Sequence, residues 1–521
     1  PEPDRGATLQ RLMGLVRKEL VRLDEQATPD LDVLDEEVRF RFRHQLVRDA
    51  AYESLPKQER ARLHEAFADW MESALVQRTE ELHEVIGYHL EQACHYVRSV
   101  GGATEAANRL AKRAVDHLTA ASEHARTVGD LRAMARLLER ATGLLPAGDP
   151  GRLALLPRMA EGLVETGRLR EAEAAIDEVL STPDVDSAVR AAALELAELQ
   201  LQLGSPAARL EPMVEEALAI RRRLGDPGGI AGALLAKGRV HSFRGQLRLQ
   251  AKALEEALPL AQEAGDVALQ AEIMSSLVAA DGGSRHGGER DPAQPQALLE
   301  FARAHGHLLL EGAAIQILSY SAAIHGDREG ALVLAERARA MGTDLGLLSA
   351  SYSSSGTGFI YEWFGETEAA IAEHERAVRG WQEIGERGYL STDASTLALL
   401  LLDLDRVDDA RQAIELAEET GAPDDIVTQV EVQAGRARIL AREGRLVEAE
   451  ELARAAVQRA DSADYMILFT YARLALGDVL RLAGKKEEAV RWVEEAATVE
   501  ERRGNAPYAG VLRRTAERWG V

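Results

Sequence analysis

Cysteine is almost missing from the 521 residues: Cys94 stands alone, which excludes an intramolecular disulfide and any zinc site built only from cysteines. Aromatic residues make up only 4%. No apolar run reaches 18 residues and no charged-then-apolar segment opens the chain, so neither a transmembrane helix nor a signal peptide is expected, and the expected compartment is the cytoplasm. Basic residues are outnumbered, 62 against 86 acidic, and the net charge of −24 argues against a surface made for nucleic acid or anionic lipid. A G-x-x-x-x-G-K-[ST] phosphate loop and a G-x-S-x-G nucleophile elbow are both absent; Gly484-Lys485-Lys486 lacks the first Gly and the Ser or Thr. The first residue is Pro1 rather than Met, so the chain is expected to be a piece of something longer.

What is present is globular and helical. Hydrophobic residues make up 46% and charged residues 28%, with Ala, Leu, Glu and Arg prominent. Turn-like elements recur, each followed by a charged or polar stretch and an Ala-rich segment. They begin at Gly129, Gly167, Gly204, Gly245, Gly326, Gly365, Asp405, Gly444 and Gly484, with spacings of 38, 37, 41, 81, 39, 40, 39 and 40. The 81 is two periods with one irregular unit hidden inside, giving about ten units. Five residues after the turn stand Ala172, Ala331, Ala370, Ala410, Ala449 and Ala489. Twelve after it stand Ala141, Ala257, Ala338, Ala377, Ala417, Ala456 and Ala496. Seven residues are two helical turns, so both positions share one face. Gly238, Gly358 and Gly477, seven before the turn, allow the same close approach from the preceding helix. The pattern predicts antiparallel helical hairpins stacked into an α-solenoid.

The small residue before the turn, the Gly at the turn and the two Ala positions after it resemble tetratricopeptide repeats, with a period near 40 in place of the usual 34. The longer form is similar to the sensor arrays of bacterial signal-transducing ATPases. The expected fold is therefore all-α, a tetratricopeptide-like solenoid over residues 126–521, with an irregular insertion at 281–296 and a capping helix at 506–519. The insertion, DGGSRHGGERDPAQPQ, reads as a surface loop, or alternatively as a loop lining a groove.

The first hundred residues differ. Residues 8–23 form an amphipathic helical pattern, Val38–Arg43 alternates as a strand does, and HQLVRDAAYESL and RARLHEAFADWM read as two more helices. This order fits the tail of a winged helix over residues 1–75, followed by junction helices at 76–125. FRFRHQLVRDAAYESL, RARLHEAFADWM and IGYHLEQA resemble the junction in multi-domain STAND ATPases (signal-transducing ATPases with numerous domains), including the kind that carries an adenylyl cyclase. The resemblance implies the C-terminal half of such a protein, without the residues of its ATPase or cyclase.

No constellation reads as catalytic. His83, His89, Cys94 and His95 are separated by 6, 5 and 1, which does not gather four metal ligands on one helix. Glu215-Glu216, Glu255-Glu256 and Glu494-Glu495 read as solvated faces. Arg39, Arg41, Arg43 and Arg48 form a thin basic cluster. No metal and no cofactor is expected. The expected function is a non-catalytic sensor and interaction module whose concave groove binds a partner protein, a peptide or a small effector and regulates an upstream ATPase, cyclase or transcriptional module. Projecting the outward residues of each first helix gives the groove candidates Arg239, Phe243, Tyr320, Tyr352, Phe359, Glu362, Trp363, Arg438, Arg442 and Tyr471. Two alternatives are a stand-alone scaffold and a DNA-binding regulator using the winged helix, the latter disfavoured by the charge. Membrane contact is not expected, and the sequence leaves the oligomeric state open.

Overall fold

The computed structural model describes residues 5–23, 40–74, 79–102, 104–284, 293–345 and 349–520. Two compact units are present, residues 1–121 with 140–145, and residues 122–139 with 146–521. The first contains α1 (Arg5–Arg17), strands β1 (Val21–Leu23) and β2 (Phe40–Phe42), α2 (Gln45–Glu53), α3 (Lys57–Ala74), α4 (Thr79–Gly101) and most of α5 (Glu105–Thr127). The strands pair antiparallel, Val21 opposite Phe42 and Leu23 opposite Phe40. The described residues show a two-stranded ribbon with flanking helices and do not establish the expected winged helix; Val38 and Arg39 lie outside them. Helix α5 continues through the Gly129 turn into α6 (Leu131–Gly143).

Nine hairpins follow among the described residues of the second unit. They are α7 (Pro150–Glu165) with α8 (Leu169–Ser181), then α9 (Ser187–Glu195) and α10 (Ala197–Gln202) with α11 (Ala207–Leu224), then α12 (Pro227–Phe243) with α13 (Leu247–Glu263). Next come α14 (Val267–Gly283) with α15 (Ala293–Ala304), α16 (Leu308–Ile324) with α17 (Arg328–Leu345), and α18 (Ser349–Trp363) with α19 (Thr367–Ile384). The last are α20 (Gly388–Asp403) with α21 (Val407–Thr420), α22 (Ile426–Arg442) with α23 (Leu446–Asp461), and α24 (Met466–Leu482) with α25 (Lys486–Arg502). Helix α26 (Ala506–Gly520) ends the array. The protein is an all-α, tetratricopeptide-like solenoid.

The repeat landmarks do the local work expected of them. All nine turn residues have positive φ, from 55° at Asp405 to 87° at Gly326, a conformation that glycine reaches without Cβ strain and aspartate tolerates. The thirteen alanines are each at most 4% exposed. At Gly358 a Cβ would stand 2.6 Å from His374 Nε2, and at Gly477 2.9 Å from Val493, so a side chain there would force the helices apart.

Several first helices are capped by their own preceding residues: Asp149, Asp226, Asp266 and Asp425 each accept backbone N–H bonds. Second helices enter from the left-handed turn without such a cap, at Arg168, Gln246, Glu366, Arg406, Arg445 and Lys485. Two receive one from far along the chain. Asp424 accepts from Ala207 N (3.0 Å) and Ala208 N (2.7 Å) of α11, and Asp464 accepts from Arg248 N (3.0 Å) of α13. The backbone joins the same regions, Arg387 N to Gln202 O at 2.7 Å and Asp464 N to Gly245 O at 2.8 Å. Turns inside one hairpin thus meet loops that begin a hairpin five or six places later, so successive superhelical turns of this unit touch. Asp424→Ala should cost about 1 kcal/mol, seen as faster amide exchange at Ala207 and Ala208.

The insertion is shorter than the sequence suggests. Residues 281–283 complete α14 and 293–296 open α15, leaving 285–292 outside the described residues. Gly282-Gly283 extend a helix already formed, and Pro295 sits in a first turn, where its missing N–H has no partner to lose. Helix α15 has 12 residues, whereas the other second helices from α8 onward have 13 to 18. Beside it α13, α14 and α15 leave a cleft of about 560 Å³, with Leu247, Met274, Leu277 and Val278 in its wall and Glu255 and Asp281 among its polar residues.

Candidate functional site

The ten groove candidates fall into separate clusters. Arg239 on α12 pairs with Glu272 on α14 at 3.0 Å. Phe243, at the end of α12, lies 6.1 Å from the ring of Tyr389. Tyr389 stacks on Trp381 (5.3 Å, 25°), and Tyr352 stands edge-on to both, at 5.0 and 6.3 Å. One aromatic patch therefore joins α12, α18, α19 and the start of α20, bringing Phe243 and Tyr352 together through two residues that the projection missed. Tyr352 remains 48% exposed. Tyr320 meets Trp363 edge-on at 6.0 Å, its hydroxyl lying where a Cβ on Gly356 would be. Phe359 stands against His374 at 5.3 Å.

The remaining candidates sit in polar networks, all buried except the half-buried Arg442. Glu362 receives the hydroxyls of Tyr471 (2.6 Å) and Tyr508 (2.5 Å), which come from 109 and 146 residues further on. Arg438, 3% exposed, bonds Asp478 (2.9 Å), Asp403 (2.6 Å) and Leu399 O (3.0 Å). Arg442 bonds Asp478 (2.8 Å) and Asp405 (2.9 Å). Burial opposes the charge on Asp478, yet the guanidiniums of Arg438, Arg442 and Arg481 hold its carboxyl below the usual range.

Beneath the aromatic patch Asp393 is the central acceptor. Its carboxylate accepts from Ser355 Oγ (2.6 Å), His374 Nδ1 (2.8 Å) and Trp381 Nε1 (2.7 Å). Serine, histidine and aspartate are thus adjacent, but Ser355 and His374 both bond the carboxylate. A hydrolytic triad needs the imidazole between hydroxyl and carboxylate. His374 is fully buried, and its Nε2 faces Gly358, so this cluster positions Trp381 rather than a substrate.

Three buried glutamates have no salt-bridge partner among the described residues. Burial pushes Glu362 up to about 7, against its two tyrosine donors. Burial likewise pushes Glu386 up to about 8, although the backbone N–H groups of Tyr389 and Leu390 donate to it. Burial pushes Glu431 up to about 8, although the hydroxyls of Ser395 (2.7 Å) and Thr396 (2.9 Å) donate to it.

In the first unit the histidines scatter. His83 Nδ1 meets His117 Nδ1, His89 Nδ1 meets His64 Nδ1, Cys94 Sγ donates to Ala107 O, and His95 is exposed. Among the described residues no group of three or more His, Cys, Asp or Glu is placed to hold a metal, and no helix is long and apolar enough to cross a membrane. Most of the acidic pairs read as solvated faces are engaged: Glu215 with Lys237, Glu216 with Arg190, Glu256 with Arg222, Glu494 with Arg513 and Glu495 with Arg473. Arg43 pairs with Glu19 and Arg48 with Asp49; Arg39 lies outside the described residues.

No family model and no curated protein matches the chain. Among solved structures it is similar to the Rap protein complexed with competence and sporulation factor, at 13% identity over 73% of this chain and 99% of that one, TM-score 0.46. It is also similar to the APC/C hetero-tetramer Cut9-Hcn1 (13%, 90% and 98%, 0.43) and to the human IFIT1 dimer with m7Gppp-AAAA (15%, 84% and 95%, 0.44). Likeness at this level does not bear on what the present chain binds.

Proposed function

We propose that this chain is a non-catalytic recognition and sensor module, and that the patch around Tyr352 is where a partner protein or peptide is anchored. The observation that carries the reading is that Tyr352 is 48% exposed yet rests on a rigid base, the stacked Trp381 and Tyr389, with Trp381 fixed through Asp393. A large aromatic side chain presented in this way loses little freedom on binding and is the kind of residue that dominates interface energy. The module would regulate an upstream ATPase, cyclase or transcriptional domain through its differential affinity for the two states of that domain.

The test is affinity capture from native extract with wild-type chain and Tyr352→Ala. Trp363 is unsuited to this comparison, because it packs into two apolar cores, beside Tyr508 and beside Ile360. The expected result is a protein retained by wild type and lost by a variant of unchanged melting temperature. Equal capture by both would remove the patch from consideration and direct attention to the cleft beside α15.

A further inference from the structure

Helix α4 is held on two sides by pairs of histidines that meet nitrogen to nitrogen. His89 Nδ1 lies 2.8 Å from His64 Nδ1 on α3, and His83 Nδ1 lies 2.8 Å from His117 Nδ1 on α5. At that separation one nitrogen must carry the proton and the other must offer a lone pair. Both pairs lie within the first unit.

The surroundings determine how many protons each pair can take. His64 Nε2 is 2.7 Å from Tyr52 Oη of α2, which is itself 2.9 Å from Tyr96 Oη of α4. This chain can run in either direction. With His64 neutral, Tyr96 donates to Tyr52 and Tyr52 to His64. With His64 protonated on both nitrogens, it donates to His89 and to Tyr52, and Tyr52 turns its hydroxyl to Tyr96. Every contact survives the first proton. A second proton, on His89, sets N–H against N–H and the contact is lost.

The other pair follows the same count. His117 Nε2 donates to Glu72 Oε1 of α3 at 3.0 Å, so its Nδ1 is either the acceptor from His83 or, in the imidazolium, the donor to it. One added proton is accommodated between Glu72 and His83, and two are not.

We infer that the first unit contains an acid-sensitive latch, in which double protonation of the His64–His89 and His83–His117 pairs releases α4 from α2, α3 and α5. The Arg60 guanidinium lies over the rings of Tyr52 and Tyr96 at 4.9 and 5.6 Å, adding positive charge beside His64. Lys57 acts on Tyr96, and Tyr88 packs against both His64 and His89. Near His117, Arg113 pairs with Asp69 and Glu72, with Glu65 at 3.9 Å. Burial lowers the affinity of His64 for a proton, and burial together with the charge of His64 pushes His89 down to about 4. A histidine depressed in this way favours the folded form above its ordinary value near 6.5 and loses that contribution as pH falls through its folded value. The latch is closed at neutral pH and opens in acid.

The experiment compares hydrogen-exchange protection factors at pH 6.5 and 4.5 in the full chain and in the His83→Gln/His89→Gln double variant, which keeps a hydrogen-bonding group that does not titrate. Protection in α2, α3 and α4 of wild type should fall about tenfold or more over this range, and in the variant it should stay within about twofold, with α22 and α24 as internal reference. Unchanged protection in wild type, or an equal fall in the variant, overturns the latch. Should the variant not fold, ring-nitrogen NMR of wild type labelled with ¹⁵N-histidine decides. Paired rings that take up their protons in two separated steps support the proposal, and four rings that titrate independently overturn it.

Discussion

Trp381→Ala should cost roughly 3–5 kcal/mol. The side chain is 1% exposed and packs among Ile371, Val378 and Leu390 as well as stacking on Tyr389, so its removal leaves a cavity that these neighbours cannot close. It also takes one of three donors from the buried Asp393. Trp381→Phe separates the two effects, because it keeps most of the packing and loses the indole N–H. That change should cost about 1–3 kcal/mol, the usual range for a buried acceptor left short of a partner. Denaturant melts of the three proteins check both figures, and hydrogen exchange should place the damage in α18 to α20. A loss below about 1 kcal/mol for Trp381→Ala would mean that the aromatic patch is not the rigid base described.

The second expectation concerns alkaline pH. Glu362, Glu386 and Glu431 hold protons in the folded array at pH values where a free glutamate has lost them. The folded state therefore binds more protons than the unfolded chain above the ordinary value of 4.5. Their contribution is complete below that value and is lost as pH rises through about 7 to 8. Each pH unit crossed within that window weakens the fold by up to about 1.4 kcal/mol per group. The melting temperature is expected to fall between pH 6.5 and 8.5. Glu431→Gln imitates the protonated carboxyl and can still accept from Ser395 and Thr396. Its melting temperature should match wild type near pH 4.5 and exceed it by a growing margin as pH rises to 8.5. A flat profile in wild type would show that these carboxyls are ionised and solvated.

The hairpins were legible in the sequence because their requirements are local. A positive φ demands Gly129 or its equivalents, and close helix contact demands Ala410 or Gly477, at positions set by helical geometry alone. The polar networks were less legible, because their partners lie on helices several hairpins apart. Nothing in the period of 40 indicates that Tyr471 and Tyr508 both reach Glu362, or that the turn beside Phe243 meets the start of α20. Signals did exist for two of the missed residues. Asp393 stands in STDASTLALLLL and Asp478 in LALGDVL, each the lone acid of an apolar stretch. An acid in that setting implies buried donors or cations. The winged-helix reading had less to draw on, a single alternating run of which the structure describes only Phe40 onward.

The long-range caps given by Asp424 to α11 and by Asp464 to α13 bear on how such a gene can change length. An open repeat array tolerates duplication or loss of a unit anywhere, since each unit needs only its neighbours. Here, deleting one hairpin between positions 208 and 424 would carry Asp424 some forty residues closer along the chain and leave it facing the wrong helix. Every bridge across that stretch would slip together. The bonds from Tyr471 and Tyr508 to Glu362 carry the same constraint on to α26, so variation in repeat number among descendants of this sequence should be rare throughout this stretch.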